Sequence, residues 1–345
     1  MPLILIHSKH FADHLTPPGH PECPERAQVM DVVADRWRQL GGEVVAPRRA
    51  THEQLSRVHD DAHLERMREA AGTSTAFDPD TYTSPETDEV ARLAAGAVVD
   101  AVERVLDGER HRRALVLARP PGHHAERSQA MGFCFYNNAA VGAAHARALG
   151  AARVAIVDVD VHHGNGTQQI FEADPSVLYV SLHQFPFYPG TGDASEIGVG
   201  EGRGYSVNLP VEVGAEDADY EVMFREVVVP TVRRFAPDLL IVSAGFDAHE
   251  RDPLAGMRLT TPAFGAMMHD LRAVADACCG GRIVAVTEGG YDLPALHESL
   301  QRTVDVLAPD AAISCPWPVG AGASAAKGLA AVDRVRAALD GRWPF

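Results

Sequence analysis

Six short apolar runs are what most limits how this chain can fold. They fall at residues 3–6, 114–118, 154–161, 177–182, 239–243 and 283–287. Each is rich in branched side chains and almost continuously apolar, as strands buried on both faces of a parallel sheet are. Between them, residues 89–106, 138–149, 220–235 and 262–277 carry apolar positions at helical spacing. Alternating strands and helices predict one α/β domain, a mostly parallel sheet with helices on both faces. A length of 345 residues suits one undivided α/β fold. Residues 320–327 (GAGASAAK) read as a mobile loop before a last helix at 329–339, within a peripheral segment at 309–345.

Charge and cysteine usage narrow the function classes. The formal net charge is −16. Such a surface repels phosphate backbones, so nucleic acid is not an expected partner, whereas cationic substrates such as lysine-bearing peptides or polyamines are drawn to it. The cysteines are odd in number and scattered, with no CxxC pair, which argues against a disulfide framework or a thiolate zinc site. The opening MPLILIHSKH has no basic segment followed by a long apolar stretch, and no apolar run reaches membrane-spanning length. A reducing cytoplasm and no membrane partner are the expectation. The sequence does not fix the oligomeric state.

Chemistry-bearing residues cluster where strands end, and open parallel sheets build their sites there. After the third run comes Asp158-Val159-Asp160-Val161-His162-His163-Gly164-Asn165. Alternation along a strand over 154–161 places Asp158, Asp160 and His162 on one side. Two buried acids and an imidazole are costly unless paired or metal-bound. The bland alternative is a solvated strand end with a carboxylate–histidine hydrogen bond. After 239–243, SAGFDAH supplies Asp247; alone, such an aspartate is usually a turn or helix cap. With Asp160 and His162 it makes three ligands with an open fourth position, as in catalytic zinc sites. That donor set also suits Fe2+ or Mn2+. After 114–118, RPPGHHA supplies His123 and His124. Both could ligate a metal, or one could pack in the core, but either can also move protons near neutrality. After 283–287 comes Glu288-Gly289-Gly290-Tyr291, whose phenol can face a developing oxyanion. Simple packing of Tyr291 against a glycine turn is the plain alternative.

Taken in order, RPPGHHA, DVDVHHGNGTQ, YVSLHQ, YPGTG, SAGFDAH and EGGY resemble the histone deacetylase family across roughly residues 3 to 308. HPECPER at 20–26 is similar to the early loop of the class II branch and of bacterial deacetylase-like amidohydrolases. The resemblance implies the arginase/deacetylase fold, with an eight-stranded parallel sheet. It implies zinc (Zn2+) on Asp160, His162 and Asp247, and proton transfer by His123 and His124. Asp158 partners His123. Asn165, where class I enzymes carry aspartate, partners His124 and should leave it less basic, suited to a general acid. Tyr291 polarises the acyl carbonyl.

The resemblance also implies potassium (K+) at an inner site of Asp158, Asp160, His162, Ser181 and Leu182, and at an outer site near Phe171, Val177 and Tyr205. Gly132, Phe133, Tyr188, Leu254 and Gly289 map to the substrate channel, and Arg26 to a cavity behind the metal that could release acetate. The second channel wall is usually phenylalanine, so Tyr188 departs from the pattern. The implied activity is hydrolysis of acetyl-lysine or a similar acyl amine. The nearest rival is an acetylpolyamine amidohydrolase of the same fold. Against it stand the YPGTG and DAHERDPLAGM motifs, and Leu254 where a polyamine-selective relative has an acidic gatekeeper. A binuclear manganese hydrolase lacks evident residues for a second metal. A silent acyl-lysine binder would have lost a ligand or the tyrosine.

Overall fold

The apolar runs join in one sheet. The computed structural model describes residues 3–309 and 313–343. Its eight strands are β1 (Leu3–His7), β2 (Glu43–Val45), β3 (Arg113–Leu117), β4 (Val154–Asp158), β5 (Val177–Gln184), β6 (Ser206–Val211), β7 (Leu239–Ala244) and β8 (Ile283–Thr287). All pair in parallel, in the order β2-β1-β3-β8-β7-β4-β5-β6. Alternation explains the layers. Ile4, Ile6, Val116, Val154 and Ile156 join the core under helices Thr87–Asp107 and Asn138–Ala148. Leu3, Leu5, Leu115, Leu117 and Val157 join the core under Glu25–Gln39, Thr261–Cys278 and Leu293–Leu307. The helix Ala326–Leu339 buries Val332 and Val335 in that second core, and Trp343 donates its indole N–H to Gly204 O at 2.8 Å.

Three local departures have physical causes. The run 154–161 outlasts its strand, which ends at Asp158 because the Asp158 carboxylate takes the Asp160 N–H at 3.2 Å. Asp160 and His162 therefore stand on a turn, and strand alternation does not align them with Asp158. The segment 220–235 is helix Asp217–Met223, a π-helical stretch Phe224–Val228, then helix Val229–Phe235. Pro230 has no N–H to give and crowds the preceding turn, so the ladder widens there. The last helix starts at Ala326, ahead of 329. Edge strands β2 and β6 lacked a clear apolar signal: β2 has 3 residues, and β6 contains Pro210, tolerable only at an edge.

The strands β3, β8, β7 and β4 lie side by side at the centre of the sheet. Their carboxyl ends carry the four polar clusters. Register sets Val116, Val286, Ser243, Asp158 and Ser181 in one row across the sheet.

Candidate active site

Carboxylates build the turn after β4. Asp160 Oδ1 accepts the His162 N–H at 2.9 Å, and Asp247 Oδ1, from the loop after β7, accepts the Val161 N–H at 2.9 Å. His162 Nδ1 is thereby left 3.1 Å from Asp160 Oδ1 and 3.2 Å from Asp247 Oδ2. All three side chains are buried, and their ligand atoms lie within 4.8 Å of one another. A tetrahedral ion bound at about 2.1 Å would space neighbouring donors by roughly 3.4 Å, so the set fits a divalent cation. Charge agrees with size. Burial, then the Asp160 charge, pushes the Asp247 carboxyl up to about 7. Burial would lower His162, but its hydrogen bonds to both aspartates raise it to about 10. Two buried carboxylates converge on one imidazole, an excess of negative charge that a cation there would neutralise. Gly289 donates its N–H to Asp160 Oδ2 at 2.8 Å, and a Cβ there would overlap Asp247 Oδ2.

The loop after β3 sets two imidazoles beside this triad, with ring centroids 4.0 Å apart. His123 Nδ1 lies 3.0 Å from Asp158 Oδ2, which also accepts the Tyr179 hydroxyl at 3.0 Å. His124 Nδ1 lies 2.8 Å from Asn165 Oδ1. Asn165 Nδ2 donates to Glu126 Oε1 at 2.7 Å, which fixes the amide orientation. Burial opposes a charge on His123, but Asp160 and Asp158 outweigh it and hold that ring well above its ordinary value. Burial, then the charges of His123 and His162, holds His124 well below it. The lower basicity expected of His124 thus comes from burial and two neighbouring rings, while its Asn165 bond pulls the other way.

Tyr291 faces the histidines across a cavity of about 220 Å³ whose wall includes His123, His124, His162, Phe133, Tyr188 and Leu254. Burial raises the phenol well above its ordinary value, so it is a neutral donor. Asp252 Oδ2 accepts the Tyr291 N–H at 2.7 Å, and Asp252 Oδ1 accepts that of Leu254 at 3.0 Å. The Phe133 ring meets Tyr291 edge-on at 5.9 Å. Gly132 lines the cavity at φ 55°, and a Cβ there would press on His124.

A family model for the histone deacetylase domain matches residues 20–307. The chain belongs to the histone deacetylase family. It is 38% identical over 317 residues to histone deacetylase 14, chloroplastic, of Arabidopsis thaliana, covering 86% of this chain and 74% of that one. It is 40% identical over 343 residues to polyamine deacetylase HDAC10 of Homo sapiens, covering 94% of this chain and 50% of that one. A probable deacetylase of Archaeoglobus fulgidus is 37% identical over 292 residues, covering 84% of this chain and 81% of that one. The crystal structure of an HDA15 HD domain superposes with a TM-score of 0.88 at 36% identity, covering 99% of this chain and 96% of that one. The chain spans about half the length of HDAC10. As a histone deacetylase family member with this fold, it is a hydrolase acting on amide bonds.

Other positions implied by the resemblance to histone deacetylases fall in several places. Asp158 and Ser181 are register partners across β4 and β5, beside Leu182, with Ser181 Oγ 2.9 Å from His183 Nδ1. Val177 begins β5 and Phe171 ends the helix Asn165–Phe171 before it, whereas Tyr205 packs against the other core layer and its O accepts the Tyr179 N–H at 2.9 Å. Gly289 sits beneath the triad and is not on the cavity wall. Arg26 is buried behind Tyr291, its Cζ 5.0 Å from the ring centroid, and it bonds Gly290 O at 2.8 Å and Glu22 Oε1 at 2.9 Å. Sequence reasoning gave no role to Glu22, which also bonds Arg119, to Asp252, or to Asp80 on the cavity wall. Glu22, Arg119 and Asp252 lie inside HPECPER, RPPGHHA and DAHERDPLAGM, so charge inside a motif was the available signal.

Proposed function

We propose that this enzyme hydrolyses the side-chain amide of acetyl-lysine, or a similar N-acyl amine, with zinc held by Asp160, His162 and Asp247. The observation that carries this is a buried O,O,N donor set facing a raised and a lowered histidine and a neutral phenol across one narrow cavity. A divalent cation there would supply Lewis acidity, polarising an acyl carbonyl and making a water molecule more acidic; Fe2+ suits the same donors. Neutral His124 takes the proton of the attacking water at Nε2, because Nδ1 is engaged by Asn165. Cationic His123 stabilises the negative charge that grows on the acyl oxygen, and the Tyr291 hydroxyl donates to that oxygen. The carbon–nitrogen bond breaks as His124 returns its proton to the leaving amine, giving a carboxylate and an amine. Potassium at the Asp158–Ser181 row belongs to the same proposal.

A second reading has one observation in its favour. Asp80 puts a carboxylate on the cavity wall, where it could meet a second ammonium of an acylpolyamine. Leu254, on the same wall, favours an uncharged neighbour and hence acyl-lysine. The test compares acetyl-lysine peptides with acetylpolyamines, using metal-loaded enzyme, chelator-treated enzyme, and chelated enzyme with zinc restored. Turnover of neither substrate by the zinc-loaded enzyme would refute the proposal.

A further inference from the structure

Among the buried acids without work in that scheme, one binds the loop that carries the histidines. Glu288 is fully buried at the end of β8. Its Oε2 accepts the backbone N–H of Gly122 at 2.7 Å and that of His123 at 3.1 Å. Its Oε1 accepts the Ser243 hydroxyl at 3.0 Å, from β7. One carboxylate therefore ties three adjacent strand ends together: the β3 loop that carries the histidines, β7 before Asp247, and β8 before Tyr291. Burial pushes the carboxyl up to about 7, with His123 pulling against it. A buried acid is expensive to keep where a small apolar residue would pack. It satisfies two loop N–H groups that have no helix or strand partner, and leaving such groups unpaired is costly.

We propose that Glu288 is a positioning residue: it fixes the His123 backbone, and so both imidazoles, against the triad and Tyr291. This rests on the deacylase reading. Its claim concerns the length of the clamp, and charge is separable from length. Glu288→Gln keeps an oxygen for the two N–H groups and can donate from Nε2 to Ser243 Oγ. Glu288→Asp keeps the charge but draws the carboxylate back by one methylene, so the loop must follow or lose its bonds.

The experiment measures kcat and KM per bound metal for both variants, and the downfield imidazole N–H proton resonance of the His123–Asp158 bond. The expected result is kcat about 100-fold lower in Glu288→Asp, as an ångström-scale misplacement produces. KM stays near wild type, the resonance shifts or broadens, and Glu288→Gln retains most of the turnover and an unmoved resonance. A slow Gln variant beside a fast Asp variant would show that charge acts and overturn positioning. Wild-type kcat in both would leave Glu288 as fold support alone and overturn it equally. If the wild-type enzyme turns over no acyl amine, the deacylase reading fails, and the resonance still decides whether Glu288 holds His123.

Discussion

His123 and His124 are neighbours in sequence, share one loop, and have ring centroids 4.0 Å apart, yet the structure pushes their basicities in opposite directions. One faces a buried carboxylate, the other a carboxamide. The difference shows how a fold divides labour between identical groups. Two imidazolium ions at that distance repel, so only one can be charged. Asp160 and Asp158 favour the charge on His123, while burial and then the His123 charge disfavour it on His124. Asn165 orients His124 without restoring the charge. The ring that must first accept a proton is therefore the one that starts without it.

Removing each ring should break the symmetry most visibly. His124→Ala should lower kcat/KM by about 10³-fold, within the range of a lost general base. His123→Ala should cost less, because it removes charge stabilisation and leaves the proton acceptor. Steady-state kinetics at matched metal content decide this. Equal losses would mean that the rings are interchangeable and that the division of labour is wrong.

Changing the carboxylate comes next. Asp158→Asn gives both histidines an amide partner. His123 should lose part of its preference for the charged form, Asp160 still favouring it, and kcat should fall by about 10²-fold with little change in KM. A loss confined to KM would show that Asp158 serves binding. Metal content must be measured too, because Asp158 Oδ1 also holds the Asp160 N–H at 3.2 Å.

The fold and this site were unequally legible in the sequence. The buried strands announced themselves because a sheet covered on both faces needs continuous apolar runs. Edge strand β6 did not, since Asn208 and Pro210 interrupt its run and an edge tolerates both. Asp160, His162 and Asp247 stood out as costly polar residues after apolar strands. The reason they converge did not: it is a turn held by Asp158 and Asp247 carboxylates, and nothing in a strand pattern foretells where a strand will stop. Glu288 stood in plain sight within EGGY, but its partners Gly122 and Ser243 are set by strand order, which one sequence does not display.

Asn165→Asp makes the reverse change, giving His124 a carboxylate like that of its neighbour. The new charge favours imidazolium, so the His124 pKa rises. The sign follows from the role. His124 must be neutral to accept a proton, so activity requires a pH above its pKa, and the acid limb of the kcat/KM profile should move to higher pH. At neutral pH the variant should be several-fold slower and recover in alkali. An unmoved acid limb would assign that limb to another group.

The smallest effect should come from the residue that keeps Asn165 facing the right way. Glu126 Oε1 accepts from Asn165 Nδ2 at 2.7 Å, which leaves Oδ1 for His124. Without Glu126 the amide can flip and present its NH2 to His124 Nδ1, which then must accept, moving the ring proton to Nε2. That tautomer cannot take a proton from water at Nε2. Glu126 is half-buried, so water can replace part of its role. Glu126→Ala should therefore cost only a few-fold in kcat, with the His124 Nδ1–H resonance weakened in the free enzyme. Combining it with Asn165→Asp is the sharper form. A carboxylate looks the same to His124 after a flip, so the Glu126 change should lose its effect on the tautomer in that background. A penalty that persists undiminished would show that Glu126 acts on something other than the amide.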